Sequence, residues 1–202
     1  AGDNYEVDVH FNLPGRFNVS NCLAALAVAD AVGIDPQTAA QGIAALESVP
    51  GRMEWIDLGQ PFTAIVDFAH TPNALQQALL TSREMTKGRL ITVFGSAGLR
   101  DRQKRRMMPE TSLELADLTF LTAEDPRNES LRDILAEMSV AARQKGGVEH
   151  VNYWCIPDRG EAIRAAVRTA RKGDVVIACG KGHEQSMCFG AIEYPWDDRI
   201  AM

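Results

Sequence analysis

The feature that most restricts what this chain can fold into is an alternation that begins after Val49-Pro50-Gly51. Short apolar, β-branched runs lie at 54–58, 62–67, 89–94, 118–122, 150–155 and 174–179. From the second run onward they are separated by helix-length segments at 72–86, 103–116, 130–145 and 158–171, with Ser130 and Asp158 placed as N-caps. Parallel strands need a crossover of that length, and such crossovers are right-handed. The pattern therefore predicts a doubly wound, mostly parallel α/β sheet of Rossmann-like type. The first two runs are joined only by Leu58-Gly59-Gln60-Pro61, too short for a crossover, so they are expected to form an antiparallel hairpin at one edge.

Before the Val-Pro-Gly turn the pattern is helical. Residues 18–33 carry Val19, Leu23, Leu26 and Ala29 on one stripe and stop at Gly33, and Asp35 with Pro36 opens a second helix. A boundary is expected near residue 50, giving segments 1–50 and 51–202, with a hinge at Ser48–Gly51. A helical piece of about 50 residues buries too little surface to hold a core alone, so it is expected to pack on a larger body or be poorly ordered.

The chain carries 27 acidic against 21 basic residues, a net charge of −6, which argues against a nucleic-acid surface. Its one basic cluster, GLRDRQKRR at 98–106, reads equally as a solvated helix start or an anion site. No apolar run approaches the ~18 residues of a membrane span and no charged-then-apolar leader is seen, so no membrane partner and a cytoplasmic location are expected. Cys22, Cys155, Cys179 and Cys188 are scattered, as are the histidines, which predicts free thiols, no disulfide framework and no metal site.

In a doubly wound sheet, ligands collect beyond the carboxyl ends of the strands. The loops there are Asp67–Pro72, Gly95–Arg106, Thr122–Arg127 and Gly180–Glu184. Each residue has an ordinary structural use. Asp67 can cap the next helix, His70 can bond within its turn, Glu124 and Asp125 can shape a turn, and Arg127 can pair with one of them. Independent turns do not explain why complementary charges share one edge. A ligand bearing both carboxylate and ammonium groups does. The segment VVIACGKGHEQS at 175–186 is not a phosphate loop, because G-x-x-x-x-G-K-[ST] would need glycine at Val175 and a hydroxyl at Gly182.

Six ordered segments carry a resemblance. LPGRFNVSNCLAAL, VPGRME, VDFAHTPNAL, FGSAGLRDRQKR, AEDPR and ACGKGHE resemble, from about residue 11 onward, the motifs of the Mur ligases. The resemblance implies an enzyme that joins a diamino acid to UDP-MurNAc-L-Ala-D-Glu with ATP and Mg²⁺, through an acyl phosphate attacked by the incoming amine. It places residues 1–50 at the end of a central ATPase domain and 51–202 in the C-terminal, amino-acid-presenting domain. The phosphate loop is missing from the sequence, so the chain alone is expected to turn over no ATP and to hold few of the Mg²⁺ ligands.

Carried over by position, the resemblance implies ATP contacts from Asn18, Asn21, Arg52, Asp67 and His70. It implies that Arg100 takes the amino acid's α-carboxylate, while Glu124, Asp125, Arg127, Gly180 and Glu184 select its far end, with Glu184 rather than Lys181 as the contact in the last loop. Departures are Leu99 for Asp, Ser96-Ala97 for Cys-Gly, and Asp125 for Asn. Arg127 favours meso-diaminopimelate, whose far end carries a carboxylate. Asp125 favours lysine or ornithine, if it draws a lone ammonium or holds Arg127 in an internal pair. A folylpolyglutamate-synthetase-like ligase and a non-catalytic nucleotide or amino-acid-binding module are the other readings, and a monomer is expected.

Overall fold

The computed structural model describes residues 6–202 and divides them into two compact units, one running to Val49 and one from Pro50 to Met202. The first five residues of the expected N-terminal segment lie outside the described residues. In the first unit, α1 (Phe17–Ala31) and α2 (Pro36–Ala44) form a helical pair. Asp35 caps α2 as expected, accepting from the Thr38 N–H at 2.9 Å. The expected stripe on α1 is not a core: Val19 is 49% and Leu23 60% exposed, and Cys22 is the one α1 residue that is buried.

The second unit is built on a six-stranded sheet. Its strands are β1 (Glu54–Ile56), β2 (Thr63–Asp67), β3 (Leu90–Phe94), β4 (Leu118–Leu121), β5 (Tyr153–Cys155) and β6 (Val175–Cys179), in the order β1-β2-β6-β3-β4-β5. β1 pairs antiparallel with β2 at the edge, and every other pair is parallel. The doubly wound sheet with its antiparallel edge is the fold that the alternation predicts. The strands are shorter than the apolar runs, most of all β5, where residues 150–152 form a turn and Glu149 makes an isolated bridge to Tyr153.

Helices α3 (Pro72–Met85), α4 (Lys104–Leu115) and α5 (Leu131–Gln144) follow β2, β3 and β4, and α6 (Arg159–Thr169) follows β5. α3 through α5 cover one face, where Leu75, Leu79, Met108, Ile134 and Met138 pack on Ile65, Leu90 and Ile177. α6 covers the other, where Ala162, Ile163 and Ala166 pack on Ile91, Val93 and Val176. β6 shows why both layers are needed. Val175, Ile177 and Cys179 belong to the first core and Val176 and Ala178 to the second, so the run VVIAC is apolar throughout because the strand is buried on both sides.

Two elements were not anticipated. After the GKGHE turn the chain forms a separate hairpin of β7 (Ser186–Phe189) and β8 (Ile192–Pro195), then a short helix α7 (Asp198–Ala201). The hairpin's two-residue loop, Gly190-Ala191, with Gly190 at φ +64°, is the Gly-first turn that sequence can signal. No helix among the described residues is long and apolar enough to cross a membrane. All four cysteines are free, and no group of three or more metal-ligating side chains occurs among the described residues.

Candidate functional site

The winding reverses at β6: helices after β2, β3 and β4 lie on one face, and the chain returns to the sheet centre through α6 on the other. The carboxyl ends of β2, β6, β3 and β4 thus meet at a switch point, where a doubly wound sheet opens a crevice. A cavity of about 330 Å³ lies there. Phe68 and His70 line it from the loop after β2; Ser96, Ala97, Arg100 and Lys104 from the segment after β3; Glu124, Asp125 and Arg127 from the loop after β4; Gly180 and Glu184 from the loop after β6. The six residues expected to surround an amino acid share this cavity with His70. Ser96 and Ala97, noted as departures from the family motif, line it too; Phe68 and Lys104 were not singled out, although Lys104 stands four residues after Arg100 in the basic cluster.

That cluster does not act as one unit, and the buried Arg105 departs from the solvated reading. Arg100 and Lys104 line the cavity. Arg105, 1% exposed, pairs with Glu129 at 2.8 Å and Glu137 at 3.2 Å, Arg102 pairs with Glu137, and Arg106 makes an i,i+4 pair with Glu110. Glu129 Oε1 also accepts from the Leu99 N–H at 2.5 Å, tying the loop after β3 to the one after β4.

The backbone around the cavity is strained. Leu99, Asp125 and Arg127 all adopt positive φ (55°, 37° and 50°), rare for side chains of this size and held only where surroundings over-determine them. Here the restraints are visible. Gly98 N–H donates to the Asp125 carbonyl at 2.9 Å, and Arg127 Nη1 donates to the Gly98 carbonyl at 2.9 Å. β7 grips the same turn: Arg127 N–H donates to the Cys188 carbonyl at 3.1 Å and Gly190 N–H to the Arg127 carbonyl at 2.8 Å. A Cβ on Gly98 would lie 1.9 Å from the Pro126 carbonyl oxygen. Gly98→Ala is therefore expected to cost about 2 kcal/mol and to free the turn. Hydrogen exchange reads this as a faster Arg127 amide; an unchanged rate with unchanged stability contradicts it.

The ordinary structural use open to Arg127, a pair with Asp125 or Glu124, does not form. Asp125 Oδ1 instead accepts from Lys181 Nζ at 2.9 Å and from the Cys188 N–H at 3.0 Å, and Lys181 also reaches Glu184 Oε2 at 2.7 Å. The reason is burial. Lys181 is 1% exposed, so its ammonium must be paired. Burial alone would lower its pKa, but the two carboxylates outweigh that and raise it. Among the described residues Arg100, Lys104 and Arg127 have no carboxylate partner.

Glu124 is the opposite case. It is buried, its Oε2 has no hydrogen-bond partner, and a Cβ on Gly180 (φ +107°) would stand 2.8 Å from that oxygen. Burial pushes its pKa up to about 7, with the Arg159 and Lys181 charges holding it from rising further. A carboxyl whose folded pKa exceeds its ordinary 4.5 binds more protons folded than unfolded. Its stabilising contribution is complete below 4.5 and is lost as pH rises through about 7, by at most about 3 kcal/mol. Glu124→Gln is expected to flatten this decline, measured as unfolding free energy at about pH 5 and about pH 8. Equal slopes in wild type and variant would show that Glu124 is not the group responsible.

The residues implied for ATP fall in both units. In the first, Asn21 Nδ2 donates to Asn18 Oδ1 at 2.9 Å and Asn18 Nδ2 to the Pro14 carbonyl at 2.8 Å. In the second, the exposed Arg52 guanidinium stands 4.5 Å over the Phe68 ring. Asp67 is buried and already bonded on each oxygen, to Met53 N–H and Ala69 N–H, both at 2.8 Å, so a ribose hydroxyl would have to share it. Asp67 does not cap α3; Thr71 does, accepting from the Ala74 N–H at 3.2 Å. The His70 ring bonds within its turn, Nδ1 lying 3.0 Å from the Phe68 carbonyl.

Residues 51–182 match the family model "Mur ligase, glutamate ligase domain". The UDP-N-acetylmuramyl-tripeptide synthetase of Roseiflexus sp. (strain RS-1) is 47% identical over 194 residues, 95% of this chain and 38% of that protein. The UDP-N-acetylmuramoyl-L-alanyl-D-glutamate--2,6-diaminopimelate ligase of Streptomyces avermitilis is 44% identical over 190 residues, 94% of this chain and 38% of that protein. A solved structure bearing that second enzyme name superposes with a TM-score of 0.69 at 36% identity, covering 96% of this chain and 39% of that one. The chain thus spans about two fifths of the length of the relatives it matches. With the family model covering most of the chain and the motif loops gathered around one cavity, the chain belongs to the Mur ligase family.

Proposed function

We propose that this chain is the amino-acid-presenting part of an ATP-dependent ligase that joins meso-diaminopimelate to UDP-MurNAc-L-Ala-D-Glu. The observation that carries the choice of amino acid is the charge left unspent in the cavity. Arg100, Lys104 and Arg127 have no carboxylate partner, while Asp125 and Glu184 are drawn onto Lys181, which leaves Glu124. Two carboxylates and one far-end ammonium match that set, with Arg100 taking the α-carboxylate, Arg127 the distal one and Glu124 the distal ammonium. Lysine or ornithine would leave the half-buried Arg127 with no carboxylate, its one protein hydrogen bond going to the Gly98 carbonyl. The relatives' names, a tripeptide synthetase and diaminopimelate ligases, support the cell-wall reading over a folylpolyglutamate synthetase or a binding module.

ATP, when bound, supplies the phosphoryl group that activates the acceptor carboxylate. Arg52 and His70 are the groups of the second unit available to phosphate oxygens, and Asn18 and Asn21 of the first are the adenine contacts in this reading. The residues fit a nucleotide's polar groups better than they fit Mg²⁺, whose ligands would come from the phosphates and from protein outside this chain. The work of the second unit is positional: it holds the amine at a fixed distance and orientation, which can contribute several kcal/mol to such a reaction. The test is a competition among meso-diaminopimelate, lysine and ornithine, supplied to the protein in its natural full-length form with ATP and the UDP-MurNAc-dipeptide. Preference for meso-diaminopimelate is expected, and preference for either of the others overturns the assignment.

A further inference from the structure

We infer that Lys181, which does not line the cavity, sets which amino acid the cavity takes: its buried ammonium bridges Asp125 and Glu184 and offsets one of their two charges, so that they compete less for a ligand ammonium. Lys181 is in this sense a positioning residue. The inference rests on the ligase reading above and deepens it.

The geometry is that of a three-way clasp. Nζ lies 2.9 Å from Asp125 Oδ1 and 2.7 Å from Glu184 Oε2, at 1% exposure. Asp125 Oδ1 is further held by the Cys188 N–H at 3.0 Å, so the ammonium ties the loops after β4 and β6 together and the Asp125 carboxylate ties in strand β7. The cavity lining has three carboxylates, Glu124, Asp125 and Glu184, against three cations, Arg100, Lys104 and Arg127. Without Lys181 these balance, and two of the freed anions stand ready for a lone ammonium. With it the set carries an excess positive charge and favours a ligand with two carboxylates. Asp125 alone would turn the cavity toward lysine; with Lys181 beneath it, the Asp125–Lys181–Glu184 cluster carries one net negative charge instead of two. A specificity residue of this kind works by disfavouring the competitor as much as by attracting the substrate.

The test uses the natural full-length protein with Lys181→Met, Asp125→Asn and the double variant, and takes KM and kcat for meso-diaminopimelate and for lysine. Lys181→Met is expected to raise KM for meso-diaminopimelate about tenfold with kcat changed far less, and to improve use of lysine, because Asp125 and Glu184 then face the ligand without their cation. The double variant removes one of those two anions and restores the cluster's net charge of wild type, so it should recover most of the lost preference. Equal effects on both amino acids, or a double variant no better than Lys181→Met, overturn the inference. In case Lys181→Met fails to fold, ¹⁵N spectroscopy of the lysine ammonium in the wild type and in Asp125→Asn gives an independent reading. A slowly exchanging Nζ signal that shifts in Asp125→Asn is expected, and its absence or indifference to that change overturns the clasp. A wild type that uses neither amino acid overturns the ligase reading itself, recognisable because the Nζ signal persists.

Discussion

Replacing Arg159 with alanine is expected to lower the unfolding free energy of this chain by about 3–5 kcal/mol, the scale of breaking a buried pair by removing one partner. The guanidinium is fully buried. It donates to Asp198 Oδ1 at 2.7 Å and Oδ2 at 2.6 Å, and its remaining N–H groups reach the carbonyls of Ala123 at 3.1 Å and Cys179 at 2.8 Å. Alanine would leave Asp198, 0% exposed, with the Trp196 indole N–H at 2.7 Å as its remaining side-chain donor, and would strand two strand-end carbonyls. Asp198→Ala should cost a similar amount, and the double variant less than the sum, because the second removal strands no charge. Urea unfolding measures all three; a loss below about 1 kcal/mol for Arg159→Ala would mean that water or a neighbour replaces the guanidinium. Ala123 and Cys179 directly precede Glu124 and Gly180, so the same clamp fixes the floor of the cavity. Removing it also takes away a positive charge that faces Glu124, which should move that carboxyl's titration further up.

The second large effect is on substrate use. Arg127→Ala is expected to reduce kcat/KM for meso-diaminopimelate roughly 100-fold, the loss of about 3 kcal/mol that a charge-assisted, two-pronged contact to carboxylate can contribute. The guanidinium makes one hydrogen bond to protein, from Nη1 to the Gly98 carbonyl, so the rest of the fork is unspent. Lysine, which has no distal carboxylate, should be used about as well as before or better. The discriminating quantity is therefore the ratio of the two rate constants. A ratio unmoved by Arg127→Ala would remove the distal carboxylate from the account and with it meso-diaminopimelate.

The order of strands and helices was legible because two periodicities alternate cleanly, and because a strand buried on both faces, such as VVIAC, has no polar position to confuse it. That the polar loops would gather at one edge was legible from their position: residues after β2, β3, β4 and β6 converge on one cavity whatever their side chains do. What the side chains do there was not. Nothing local to AEDPR tells whether Asp125 meets Arg127, two residues away, or Lys181, fifty-six positions on. Arg159 likewise reads as an ordinary helix-start residue after the Asp158 cap, since its partner Asp198 belongs to an element that the alternation does not extend to. The β7–β8 hairpin escaped because its outer strand is exposed along its whole length, without the buried alternation that marks a strand.

The position of β6 bears on how such a molecule can be made. This strand is the last of the six in sequence yet sits between β2 and β3, which do not touch each other. Until residues 175–179 are synthesised, the chain holds a β1–β2 pair and a β3–β4–β5 group with no shared hydrogen bonds, each with a bare central edge. A nascent chain cannot bank its structure piece by piece from the N-terminal side; the sheet forms only when β6 inserts between its halves, a slow, long-range closure of the kind that parallel topologies impose. The loops that make the cavity acquire their common edge in the same event, so binding competence and sheet completion arrive together. Incomplete chains would present open strand edges instead of a half-built site, and such edges are templates for aggregation.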